Sequence, residues 1–241
     1  MYMVSCRKSF TDNILLSKQN QYRNYSNPGN PDKFDKISLD LIRKGAQDKH
    51  VLVLVHGFNN PMENVLSAYW ELVNGLQDVG MTGPGQYGLI VGFTWPGQLS
   101  PVGYLPAVLS AMKSAPFLRD FIATLQGTAH TVDVQTHSLG ARVALKALTD
   151  PKKAFVDNLM LAAAAVDNHL LEPDQAFFKS TNAVNRLFSY HSTNDPVLAT
   201  GYWIGDISDG PSGAGAYRSE RQEHHAAGNT QRLRGGLQRP D

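Results

Sequence analysis

The clearest apolar signal in the chain lies at residues 51–55, VLVLV, a run without a polar interruption. Such a run predicts a strand buried on both faces, as in the middle of a parallel sheet. Asn60-Pro61 opens a helical pattern in which Met62, Val65, Leu66, Tyr69, Leu72, Val73 and Leu76 recur at three-and-four spacing. Residues 87–95 (YGLIVGFTW) read as the next strand, stopped by Pro96-Gly97, and 106–125 are mostly helical in pattern. Residues 131–136 (TVDVQT) predict a third strand running straight into Ser138, with 139–148 continuing as helix. Residues 158–166 (NLMLAAAAV) and 184–192 (VNRLFSYHS) supply two more strands, with a short helix expected between them at 173–179. Strands alternating with helices place the chain in the α/β class, with a mostly parallel central sheet and helices on both faces. In such sheets chemistry gathers at the carboxyl ends of the strands.

The flanks read differently. Residues 1–50 look like an N-terminal extension: 2–6 form a short apolar run expected as an edge strand, 19–35 are rich in Asn, Pro and Gly and read as loop, and 37–44 fit either strand or helix. The core spans 51–205. From residue 206 to 241 the apolar periodicity stops, and Gly, Ser, Arg, Gln and Asn dominate. Such a tail buries little and is expected to be poorly ordered. A native last strand carrying a histidine is then expected to be poorly formed or missing, through truncation or a shifted reading frame.

Composition narrows the function classes. At 241 residues, 42% hydrophobic and 18% charged, the chain fits one ordinary globular domain. A net charge of +1 gives no field to draw in nucleic acid or an anionic membrane. Tail arginines such as Arg232, Arg234 and Arg239 read as solvated. No apolar run is long enough to span a bilayer, and the first residues lack a secretory pattern. With Cys6 the only cysteine, no internal disulfide can form, and a cytoplasmic location is expected. No HExxH, Cys/His cluster or Gly-rich phosphate loop is present, so no metal or other cofactor is expected.

The strongest chemical signal is Thr136-His137-Ser138-Leu139-Gly140, at a strand-to-helix junction. A serine hydroxyl becomes a useful nucleophile only when held exposed beside a base, and a tight strand-turn-helix elbow does this. Gly140 fits the pattern G-x-S-x-G, while Thr136 replaces its first glycine. A plain helix-capping serine is the competing reading, and the strand before it favours the elbow. The second signal is His56-Gly57-Phe58-Asn59-Asn60, directly after VLVLV. Acyl transfer needs two N–H donors aimed at a developing oxyanion. Leu139 supplies one, and Phe58, with Asn59 close behind, the other.

In folds built around this elbow the partners follow in the order serine, acid, histidine. Asp195, in the Asn194-Asp195-Pro196 turn past a strand, is the favoured acid, ahead of Asp167. After Asp195 only His224 and His225 remain as bases, with nothing to choose between them. Trp95, at a strand end, is a candidate for lining the substrate pocket, and Tyr104 for a cap above it; plain packing is the rival reading for both.

Taken together, HGFNN, FTWPG, THSLG and YHSTNDPVL in this order resemble a bacterial branch of the α/β-hydrolase superfamily whose function is unknown, over residues 51–198. The resemblance implies the α/β-hydrolase fold, Ser138 as nucleophile, Asp195 as acid and the HGFNN loop in the oxyanion hole. Relatives usually carry a small residue where Thr136 stands and a histidine on a late loop. The expected activity is a carboxylesterase-like serine hydrolase on a small-molecule ester. The alternatives are a lipase or thioesterase, or a catalytically inactive binding protein on the same fold.

Overall fold

A computed structural model describes residues 1–26, 34–97 and 104–190. Strands β1 (Tyr2–Arg7), β2 (Leu16–Asn24) and β3 (Asp35–Lys36) come first, followed by helix α1 (Leu39–Ala46). Then β4 (His50–Val55), α2 (Met62–Asp78), β5 (Tyr87–Thr94), α3 (Tyr104–Leu125), β6 (Thr131–His137) and α4 (Gly140–Ala147) alternate. The described part closes with β7 (Val156–Ala162), two 3₁₀ turns (Asn168–Leu171 and Phe178–Ala183) and β8 (Val184–Tyr190). The strands form one sheet in the order β3-β2-β1-β5-β4-β6-β7-β8. It is parallel from β1 to β8, and β2 and β3 join antiparallel.

The alternation of β4 decides the layers. Val51, Val53 and Val55 share a buried cluster with α1, α3 and α4, while Leu52 and Leu54 join Met62, Val65, Leu66 and Tyr69 of α2 on the opposite face. Burying a strand on both sides is what VLVLV encodes. From β4 the chain moves one way to β5 and then returns across to β6. The direction of winding therefore reverses at β4, and in sheets of this kind ligands bind outside the carboxyl ends at such a switch point.

Three expectations are corrected here. Residues 2–6 do not form an edge: β1 lies between β2 and β5, with Met3, Val4 and Cys6 fully buried. The stretch read as loop from residue 19 contains most of β2, whose polar side chains carry little strand signal of their own. It is a strand because its backbone pairs with β1, as in Val4 opposite Tyr22. Residues 173–179 form turns and the start of a 3₁₀ segment rather than a helix. The ambiguous 37–44 stretch becomes α1, capped by Ser38 Oγ accepting from Leu41 N at 3.2 Å.

Candidate active site

Ser138 sits between the end of β6 and the start of α4 with φ of +51°. A non-glycine residue there costs about 1–3 kcal/mol and marks a backbone held by its surroundings. The hold is visible. Ser138 N–H donates to Ala162 O at 3.0 Å, and Ser138 O accepts from Ala141 N at 3.0 Å and Ala165 N at 3.2 Å. The side chain remains partly exposed, and no hydrogen bond engages Ser138 Oγ among the described residues.

Two glycines let the elbow close against the loop after β4. A Cβ on Gly140 would lie 2.4 Å from His56 O and 2.7 Å from Val55 O, backbone atoms that cannot yield. A Cβ on Gly57 would lie 2.9 Å from Ser138 Cβ and 3.0 Å from His137 O. Thr136, by contrast, is accommodated: buried, with its hydroxyl donating to Met160 O at 3.4 Å.

The β4 loop is wired from behind. Trp95 N–H donates to His56 Nε2 at 3.1 Å, so that nitrogen is an acceptor and Nδ1 carries the proton. Nδ1–H in turn donates to Gly57 O at 2.8 Å. Burial, the neighbouring Arg7 cation and His137 hold the His56 pKa well below the usual imidazole range, against the two backbone hydrogen bonds. In a trans peptide the carbonyl and the next N–H point opposite ways, so holding Gly57 O on the His56 ring turns Phe58 N–H away from that ring. No acceptor among the described residues takes the N–H of Phe58 or Leu139. Asn59, with φ of +56°, donates its N–H to Gly97 O at 3.3 Å, so of the two loop candidates Phe58 is the free donor.

Residues 35–224 match the model of a family described as alpha/beta hydrolase of unknown function (DUF900). The chain belongs to that family. No curated protein matches it. The α/β-hydrolase fold is thereby established, and the elbow and the β4 loop stand at the switch point where this fold does its chemistry.

Within this α/β-hydrolase fold the other expected residues fall in different places. Trp95 is fully buried: its ring stacks on His56 at 5.4 Å and 9°, and Nε1–H donates to His56 O at 2.8 Å. Among the described residues it packs as a support for the loop. Phe58 meets Tyr104 edge-on at 5.6 Å, so an aromatic pair stands beside the loop, Tyr104 opening α3. Asp167 is buried and its carboxylate accepts from His169 N at 2.9 Å, capping a 3₁₀ turn. Asp195, His224 and His225 lie outside the described residues. Among the described residues no group of three or more His, Cys, Asp or Glu could hold a metal ion, and no helix is long and apolar enough to cross a membrane.

Two supporting residues escaped the sequence reading. Arg142, buried on α4, donates from Nε to Ala165 O at 3.0 Å, tying the loop after β7 to the helix that begins at the elbow. Arg7, at the end of β1, reaches under the β4 loop. The available signal was a charge at the end of each of two apolar stretches, YMVSCR and LGAR.

Proposed function

We propose that the protein is a serine hydrolase acting on carboxylic esters through an acyl-enzyme intermediate. One observation carries the reading. A partly exposed serine with positive φ sits at a strand-turn-helix junction, packed against a loop whose free N–H, with that of Leu139, can receive an oxyanion.

In the proposed cycle Ser138 Oγ attacks the ester carbonyl and its proton passes to a histidine, His224 or His225, oriented by Asp195. The carbonyl oxygen becomes an oxyanion between Leu139 N–H and Phe58 N–H. Collapse breaks the ester C–O bond, and the histidine returns the proton to the departing alcohol. Water then attacks the acyl-enzyme with the same proton relay and frees the acid. No cofactor enters this scheme, and a cytoplasmic location suits the single buried thiol. A lipase or thioesterase would use the same groups under a different pocket.

The test is labelling by a fluorophosphonate, with hydrolysis of short and long p-nitrophenyl esters, by wild type, Ser138→Ala, His224→Ala and His225→Ala. Rapid labelling and turnover lost with Ser138→Ala and with one histidine variant is the expected result. A wild type that neither labels nor turns over any ester in the series refutes the reading and leaves a hydrolase-fold binding protein.

A further inference from the structure

Arg7 is a fully buried cation with no carboxylate paired to it among the described residues. Nη1 donates to Asp12 O at 3.3 Å and to Asn13 Oδ1, and Nη2 to His56 Nε2 at 3.3 Å and Asn60 O at 3.4 Å. Nε–H finds no acceptor there. Every partner is neutral; Asp12 and Glu63 act on the guanidinium only from further away. Burial pushes its pKa down to about 10, which leaves it charged at neutral pH. A buried charge without a counter-charge is costly, and an apolar side chain of similar size would fill the same space without that cost.

The compensation lies in what the cation touches. His56 Nε2 and Asn60 O flank the Gly57-Phe58-Asn59 turn on either side. Asn60 Nδ2 donates in turn to Phe58 O at 2.9 Å. We infer that Arg7 is a positioning residue for the oxyanion hole: its Nη2 fork clamps both ends of the loop, at His56 Nε2 and Asn60 O, and so aims Phe58 N–H at the carbonyl attacked by Ser138. The inference rests on the reading of Ser138 as nucleophile. Trp95 N–H shares the Nε2 lone pair, but among the described residues only Arg7 grips His56 and Asn60 together. The other titratable groups facing the His56 ring among the described residues are His137 and Tyr69.

The experiment uses the full chain as wild type, Arg7→Met and Arg7→Lys. It reads kcat and KM on p-nitrophenyl acetate, with ¹⁵N spectra of the histidine rings. Arg7→Met is expected to lower kcat about 10–100-fold, a fraction of what loss of a whole oxyanion donor costs, with KM little changed. Arg7→Lys, which keeps the charge but loses the planar fork, is expected to recover part of the loss. The His56 ring is expected to keep its protonated Nδ1 in both proteins, since Trp95 N–H still donates to Nε2, and to show a shifted Nε2 resonance in Arg7→Met, where one of the two donors to that lone pair is lost. A folded Arg7→Met with wild-type kcat overturns the inference. If Arg7→Met does not fold, Arg7→Lys decides: a reduced kcat supports the clamp and an unchanged one overturns it. If the wild type has no esterase activity, the reading of Ser138 falls separately, and the clamp is judged on the His56 ring. A shifted Nε2 resonance in the variants then supports it, and an unaltered ring overturns it.

Discussion

A single methyl group at Gly57 would press the loop after β4 against the elbow that carries Ser138, and so test the proposed oxyanion hole. The added Cβ of Gly57→Ala would stand 2.9 Å from Ser138 Cβ, 3.0 Å from His137 Nδ1 and 3.0 Å from His137 O. Carbon atoms settle at roughly 3.5–4.0 Å, so loop and elbow must part by about 0.6–1 Å. Overpacking of this kind costs about 1–3 kcal/mol, which for a chain of this size lowers Tm by roughly 2–12 °C. A displacement near 1 Å between a nucleophile and its oxyanion donor costs on the order of 100-fold in rate. Gly57→Ala is therefore expected to lose about 10–100-fold in kcat on p-nitrophenyl esters, measured well below its Tm so that unfolding does not contribute. The control is Gly75→Ala in α2, where an added Cβ meets nothing within 4 Å. It should leave kcat alone and stabilise the fold by about 0.5–1 kcal/mol. A Gly57→Ala protein with wild-type kcat would refute the argument that this loop supplies half of the oxyanion hole.

Two further outcomes concern the buried titratable groups. Burial pushes the Cys6 thiol up to about 12, against the pull of Ser114 and Arg7. The folded protein should thus resist iodoacetamide at pH 8 and react only as it unfolds; prompt alkylation would contradict this. Because the folded value lies above the unfolded one, the stabilisation is whole below about pH 9 and is lost as pH rises toward 12, by about 1.4 kcal/mol per pH unit. Cys6→Ala should flatten the fall of Tm over that window relative to wild type. His56 has the opposite sense. Its folded value lies well below 6.5, so the unfolded chain takes up a proton that the fold refuses, and stability is lost as pH falls below 6.5. Histidine NMR between pH 7 and 5 should show a His56 ring that does not titrate while the protein stays folded, and a titrating ring would contradict the wiring.

What could be read from the sequence follows from where side chains carry the information. β4 is legible because five apolar residues in a row admit few other environments, and α2 because its apolar positions repeat at helical spacing. The elbow is legible because strand, serine and glycine occur in a fixed local order. β2 is not, since LSKQNQYRN is polar along its length and its strand character comes from β1 pairing against it. For the same reason β1 could not be placed inside the sheet until β2 was known to cover its outer edge. Trp95 reads from the sequence either as pocket lining or as plain packing, and nothing in FTWPG reports that its ring lies flat on His56. Arg7 was out of reach for a simpler reason: it is separated from His56 by three strands, a helix and their connections, and only the sheet order brings them together.

The position of β1 also bears on how a nascent chain becomes competent. β1 and β2 are antiparallel neighbours in sequence and can form a hairpin by local closure, but β1 also pairs in parallel with β5, Tyr2 against Val91. Until β5 has left the ribosome, the hairpin presents Met3, Val4 and Cys6 to solvent, and a parallel partner so distant in sequence is slow to find. Arg7 travels with that hairpin, so the β4 loop receives its clamp only when the hairpin docks. Ester turnover would then follow the docking of the hairpin during refolding, while the helical signal, carried mostly by α2 and α3, could return earlier.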